Sequence, residues 1–299
     1  MDSTLAILAI LDGVSYAALV FLVSVGLSLV FGVLRIVNVA HGSLYAYGAY
    51  VAATLSLVVA PISPWLTFPA LLVAAVIVGV VVGGLMERFL LRPVYGREDV
   101  LQLLITFAVF MIMDNLQRLI WGVQPIFAAE PVKLLPNVSV FGVNYTAYQV
   151  ILLPLVAAAT LIGLRYFLRY TLAGAVILAV TEDREAATAI GVDARKVFLV
   201  TFMIGAGLAA LGGALASPTT SLAPGMGADM IVLSFAVAAT AGLGQIEGAA
   251  VTALMIGLSR AFIIYIQPEF EVLVPYLLMV IVLLVRPMGL FGVNRVRKI

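Results

Sequence analysis

The chain has 299 residues, of which 64% are hydrophobic and only 10% charged, with mean hydropathy +1.20 and net charge +1. A soluble globular domain carries roughly 25% charged residues, so this chain cannot cover a water-facing surface, and its near-neutral balance offers no basic face to nucleic acid. With no cysteine, disulfides and thiolate metal sites are excluded.

Apolar stretches of about 20 residues recur along the whole length, each long enough as a helix to cross a ~30 Å hydrocarbon core. A membrane β-barrel would instead alternate in segments of ~10 residues. The fold class is therefore an all-α polytopic membrane protein, a bundle of about 8–9 transmembrane helices. The predicted spans are Leu5–Leu34, Val39–Ala60, Leu66–Leu91, Val100–Trp121, Tyr145–Leu168, Val197–Ala216, Met230–Leu243, Gly248–Ile266 and Val272–Val285. The first is too long for a signal-peptide core and begins beside the acidic Asp2, which reads as a retained segment. The seventh is short for a full crossing: tilted, buried or re-entrant. Between the fourth and fifth, Gly122 to Asn144 contains Pro125, Pro131, Pro136 and Gly142 and predicts a structured cap or short hairpin. No connection is long enough for a second domain, so residues 1–299 read as a single transmembrane domain.

Cytoplasmic loops of membrane proteins carry an excess of Lys and Arg. With the connection after the fifth span inside, that side collects Arg35, Arg88, Arg92, Arg97, Arg165, Arg169, Arg184, Arg195, Lys196, Arg286, Arg295, Arg297 and Lys298, thirteen of the sixteen basic residues. The outside collects Asp2, Glu130, Lys133, Asp229, Glu269 and Glu271. Small residues at helical spacing, Gly42, Ala46, Ala49 and Ala53, then Gly205, Ala209, Gly212 and Ala216, predict close helix packing.

Three polar constellations stand out. The first, Leu34 to Gly42, holds Arg35, Asn38 and His41, the only histidine. With no nucleophile or multi-histidine partner, catalysis is disfavoured. Gly32 and Gly42 flank the group, so a helix break is expected there. Asn38 and His41 then satisfy freed backbone groups, line a transport route, or do both. The second is Asp114 and Arg118, an acid four residues before a base on the fourth span, read as an intramembrane ion pair and a structural or subunit contact. Arg260 in the eighth span has no local partner in sequence and is expected to face protein or a water-filled cavity.

The third is the polar insert Ala179 to Phe198. Thr181 is predicted as an N-cap, with Glu182, Asp183 and Glu185 in the first turns and Gly191 as the stop. Ala186, Ala187, Ala189 and Ile190 give a small, partly apolar face. Such a helix outside the bilayer either docks into a soluble partner or is a solvated linker.

"AVTEDREAATAIGVDARKVFLVTFMIGAGLAALGGAL" (Ala179–Leu215) resembles the ATPase-coupling region of ABC importer permeases. With "GLSLVFGVLRIVNVAHGSLYAYGAY" (Gly26–Tyr50), "ERFLLRPVYGR" (Glu87–Arg97), "AGLGQIEGA" (Ala241–Ala249) and "RPMGLFG" (Arg286–Gly292), the chain is similar to LivH-type permease subunits of branched-chain amino acid importers nearly end to end. One stretch departs from the family pattern, at Ala241, Gln245 and Glu247, and Glu247 is expected at the inner membrane surface. The resemblance implies a multi-pass permease of a bacterial or archaeal cytoplasmic membrane that moves branched-chain or other amino acids inward. Relatives for urea, short amides or aromatic acids, or a stand-alone secondary transporter or channel, are the alternatives.

It further implies a second, LivM-like permease subunit, two ATP-binding subunits and a soluble binding protein as partners, in a lipid bilayer and without nucleic acid. Coupling falls to a cytoplasmic loop at about 169–197, through Thr181, Glu182, Asp183, Glu185, Ala186, Ala187 and Gly191. No GxxxxGK[ST] phosphate loop occurs, so the chain is expected to be no enzyme and to carry no cofactor, ATP being used by its partners.

Overall fold

The computed structural model describes residues 3–292; Asp2, Arg295, Arg297 and Lys298 lie outside them. Among the described residues, seven helices are long and apolar enough to span a membrane: α1 (Ser3–Leu34), α2 (His41–Val59), α3 (Pro64–Val94), α4 (Asp99–Trp121), α6 (Tyr148–Tyr170), α9 (Ala194–Ala216) and α11 (Ile246–Ile266). Between them lie the short α5 (Glu130–Leu134), α7 (Leu172–Glu182), α8 (Arg184–Ala189) and α10 (Met226–Ala241), and α12 (Leu273–Val285) follows. The chain is all-α and polytopic as expected. Two of the predicted spans are the shorter apolar helices α10 and α12, with 16 and 13 residues. At 1.5 Å per residue neither reaches across ~30 Å.

The loop after α4 does carry a hairpin. β1 (Asn137–Val140) pairs antiparallel with β2 (Val143–Thr146), Asn137 opposite Thr146. Phe141 and Gly142 both have positive φ, as a tight two-residue turn requires.

The directions of the helices follow from where they touch. Gly13 abuts Leu258 and Gly32 abuts Gly244, so α1 and α11 run antiparallel. Gly26 meets Gly205, and Gly212 meets Val23 and Leu19, so α9 also runs against α1. One end of the bundle gathers Arg35, Arg97 and Arg184 around a shared cavity and pairs Glu247 with Arg165 and Arg169 at 2.9 and 3.3 Å. This is the basic end, and Glu247 sits on it as anticipated. At the opposite, acidic end Asp12 accepts hydrogen bonds from Tyr145 and Tyr265, tying α1, β2 and α11 together.

The core is built on small residues. A Cβ at Gly48 would lie 2.2 Å from the Ala210 carbonyl oxygen, and one at Gly213 would lie 1.9 Å from that of Tyr45. The backbones of α2 and α9 therefore touch with no side-chain layer between them. Lipid supplies no hydrophobic force between helices, so such dispersion contacts carry the association. The predicted stripes are buried throughout: Gly42, Ala46, Ala49 and Ala53, then Gly205, Ala209, Gly212 and Ala216, with Gly42 against α10 and Gly205 and Gly212 against α1.

Candidate translocation and coupling sites

At the joint between α1 and α2 the helix breaks where the flanking glycines predicted. α1 ends at Leu34, residues 35–38 are irregular, and α2 starts at His41. Arg35 takes φ +55°, rare for a residue with a side chain. Asn38 and His41 are fully buried while Arg35 is exposed. They do not share the face of a continuous helix. Instead Asn38 closes a local turn, its Oδ1 accepting from the Ala40 N–H at 3.1 Å and its carbonyl from the His41 N–H at 3.3 Å.

His41 Nε2 lies 3.0 Å from the Val23 carbonyl of α1. Val23 is three turns back from the end of α1, about 16 Å along the axis. The segment 35–40 thus climbs back beside α1, and α2 begins well inside the bundle. The backbone of Gly42 meets Gly227 at the start of α10, where a Cβ on Gly42 would lie 2.1 Å from the Gly227 oxygen. Asn38 Nδ2, His41 Nδ1 and Ser43 Oγ are buried and make no hydrogen bond among the described residues. Hydrogen-bonding capacity is therefore concentrated where the starts of α2 and α10 converge beside the middle of α1, which suits a passage for a polar solute.

The polar insert departs from its expected boundaries. Thr181 is not an N-cap: its Oγ1 donates to the Ile177 carbonyl at 2.8 Å, inside the last turn of α7, and Glu182 is the final residue of that helix. Asp183 is the cap, accepting from the Ala186 N–H at 2.9 Å. The helix it starts, α8, has six residues rather than about ten. Its stop is as predicted. Gly191 has φ +95°, its N–H donates to Thr188 at 3.0 Å, and the Val192 N–H reaches back to Ala187 at 3.1 Å, a Schellman closure.

Ala187 is buried and seats the helix on the bundle, so it cannot be a docking contact. Glu185 and Ala186 are exposed, and Ile190, at 81% exposure, is the apolar side chain α8 offers outward. Asp193 then caps α9, accepting from the Arg195 and Lys196 N–H groups at 3.1 and 3.2 Å. Those bonds, the Lys196 amide first, hold its carboxyl below the usual range.

A network beside the insert was not foreseen. Glu87 in α3 is fully buried and accepts from Arg92 Nη2 at 2.8 Å, Arg92 Nε at 3.3 Å and the Tyr95 hydroxyl at 3.0 Å. Burial, and then the Glu87 carboxylate, hold the Tyr95 phenol far above its usual range, so it remains a donor. Its ring meets Phe198 edge-on at 5.2 Å, and the Arg184 guanidinium of α8 lies 5.0 Å from the same Phe198 ring. Glu87 thus fixes the surface on which α8 rests. The available signal was a lone acid inside an apolar run, with a base five residues on.

Asp114 and Arg118 form the anticipated pair at 2.8 Å, on the mostly outward-facing α4. Arg260 does have a partner: it pairs with Glu271 and lies 4.0 Å from the centre of the Tyr16 ring.

Comparison with known proteins now adds to this geometry. The family described as "Branched-chain amino acid transport system / permease component" matches residues 9–283. The permease protein LivH of the high-affinity branched-chain amino acid transport system of Salmonella typhimurium is 27% identical, over 96% of both chains. The corresponding protein BraD of Pseudomonas aeruginosa is 28% identical over 97% of both. A probable LivH of Methanocaldococcus jannaschii is 29% identical over 95% of this chain and 92% of its own. No solved structure matches.

Proposed function

The chain belongs to the family of branched-chain amino acid transport system permease components, and from that membership we propose that it is one permease subunit of a binding-protein-dependent ABC importer. Branched-chain or other amino acids move inward through it by alternating access. The basic end faces the cytoplasm of a bacterial or archaeal cell, and the whole chain acts as one transmembrane unit. A second homologous permease subunit completes the passage, two ATP-binding subunits hydrolyse ATP, and a soluble protein delivers the solute at the acidic end.

The observation that carries this reading is α8. It is a helix too short to stand alone, closed at both ends by its own caps, held at the basic end and presenting Ile190 outward. Its surroundings bring Arg184, Phe198, Tyr95 and Glu87 into one contiguous set. In this reading the ATPases push on α8, and the Asn38–His41 joint lies on the route of the solute.

The test is co-expression with the partner subunits. Ile190→Glu and Gly191→Arg should leave the permease in the membrane but abolish co-purification of the ATP-binding subunits and ATP-dependent uptake. Normal uptake by both variants would remove α8 from the coupling role. Uptake driven by an ion gradient, with no ATPase bound, would replace the importer reading with a secondary transporter.

A further inference from the structure

At the acidic end a cavity of about 200 Å³ opens between α1, α2 and α10. It is smaller than the roughly 300–1,000 Å³ clefts that take drug-sized ligands, so it suits a small metabolite. Tyr16 comes from α1, Tyr45 from α2, Ser221 from the linker after α9, and Asp229, Met230 and Leu233 from one face of α10.

Two of these groups are chemically unspent. Asp229 is exposed at the rim and makes no hydrogen bond or ion pair among the described residues. The base near this site, Arg260, stacks on the Tyr16 ring and is already neutralised by Glu271. Tyr45 is 5% exposed, yet its hydroxyl has no hydrogen-bond partner among the described residues while the residue lines the cavity. Leu233 and Met230 make the adjoining wall apolar. A negative rim, an unpaired hydroxyl on a buried tyrosine and an aliphatic wall within one small cavity match an α-amino acid with an aliphatic side chain. The cavity also sits over the joint: Tyr45 is one turn along α2 from His41, and Gly42 touches Gly227 at the foot of α10.

We propose that this cavity is the first subsite of the passage for the amino acid itself. Asp229 takes the α-ammonium, the Tyr45 and Ser221 hydroxyls donate to the carboxylate, and Met230 and Leu233 hold the side chain. The proposal rests on the amino acid importer reading above. It gives the permease a selectivity of its own, separate from that of the soluble protein that delivers the solute.

The experiment measures binding of radiolabelled L-leucine, and of 2-hydroxy-4-methylpentanoate, which lacks the ammonium, to the complete permease–ATPase complex without the soluble binding protein. The wild type should prefer leucine. Asp229→Asn should weaken leucine binding about tenfold to a hundredfold, the range for losing a hydrogen bond to a charged group, and leave the hydroxy acid unchanged. Tyr45→Phe should weaken both ligands. Asp229 also lies in the first turn of α10, where an acid merely complements the helix dipole. If that were its whole role, Asp229→Asn would lower thermal stability and leave leucine binding and leucine uptake intact, which would overturn the proposal. A wild-type complex that imports amino acids but binds leucine no better than the hydroxy acid would also overturn it and leave the importer reading standing. A wild-type complex that imports no amino acid at all would bring down both.

Discussion

Replacing Arg92 should damage this protein more than replacing Glu87, although the two form one ion pair. The asymmetry follows from burial: the Glu87 side chain is 0% exposed and that of Arg92 is 30% exposed. Arg92→Met strands a carboxylate inside the bundle with only the Tyr95 hydroxyl to stabilise it. Breaking a buried pair in this way costs about 3–5 kcal/mol. Glu87→Gln keeps an acceptor for Tyr95 and strands a guanidinium that already reaches the surface, for about 1–3 kcal/mol. The difference between the central values is about 2 kcal/mol, or roughly thirtyfold in the folded-to-unfolded ratio. The double variant should recover most of the Arg92→Met loss, because it leaves no buried charge. Equilibrium unfolding of the detergent-solubilised single and double variants forms a double-mutant cycle that reads this coupling directly. If Glu87→Gln is as harmful as Arg92→Met, or if the double variant equals the sum of the singles, the buried-carboxylate argument is wrong.

Three further predictions concern separate parts of the fold. Gly48→Ala should abolish folded protein, judged by gel filtration in detergent. Gly207→Ala on α9, where a Cβ would meet nothing nearer than 3.8 Å, should be tolerated. Asp183→Ala should destabilise α8 by about 1 kcal/mol, and Gly191→Ala by about 1–2 kcal/mol for the left-handed residue. Each should weaken retention of the ATP-binding subunits in pull-downs, and the pair together more than either. Asp193 has a depressed carboxyl, so its capping contribution is complete above the ordinary aspartate value near 3.9 and fades as pH falls through the lower folded-state value. The stability gap between wild type and Asp193→Ala should therefore be constant near neutral pH and close only in acid. A gap that widened on acidification would contradict this sign.

Much of this was legible from local pattern. Long apolar runs gave the seven spanning helices, Gly32 and Gly42 framed the break at Arg35–Ala40, and Gly191 marked the end of α8. The error at Thr181 has a physical cause. The run from Leu172 to Val180 looks continuous with the preceding span, and neither Gly nor Pro separates them. The separation is made by Thr171, whose Oγ1 accepts from the Gly174 N–H at 3.0 Å, and by Gly174 packing on the Phe167 carbonyl. Together they fold α7 back on α6 and displace the polar helix. Pairings across the chain were beyond pattern reading. Asp12 meets partners 133 and 253 residues away, and Arg260 finds Glu271 around the turn after α11. The stretches Val78–Gly83 and Glu87–Leu91 of α3 are π-helical, one residue wider per turn, which blurs the 3.6-residue period that pattern reading relies on.

The bare seam between α2 and α9 has a mechanical consequence. Helices separated by side chains can slide by exchanging rotamers, but Gly48 on Ala210 and Gly213 on Tyr45 leave no such lubricating layer. The two helices form a single rigid lever. Its one arm is rooted at Ala194, just past the α8 turn, and Gly213 lies about 29 Å along it, beside the helix that starts at His41. In the coupling role proposed for α8, a push there would reach the polar joint as the tilt of one solid piece, with the irregular residues 35–38 as the hinge that absorbs it.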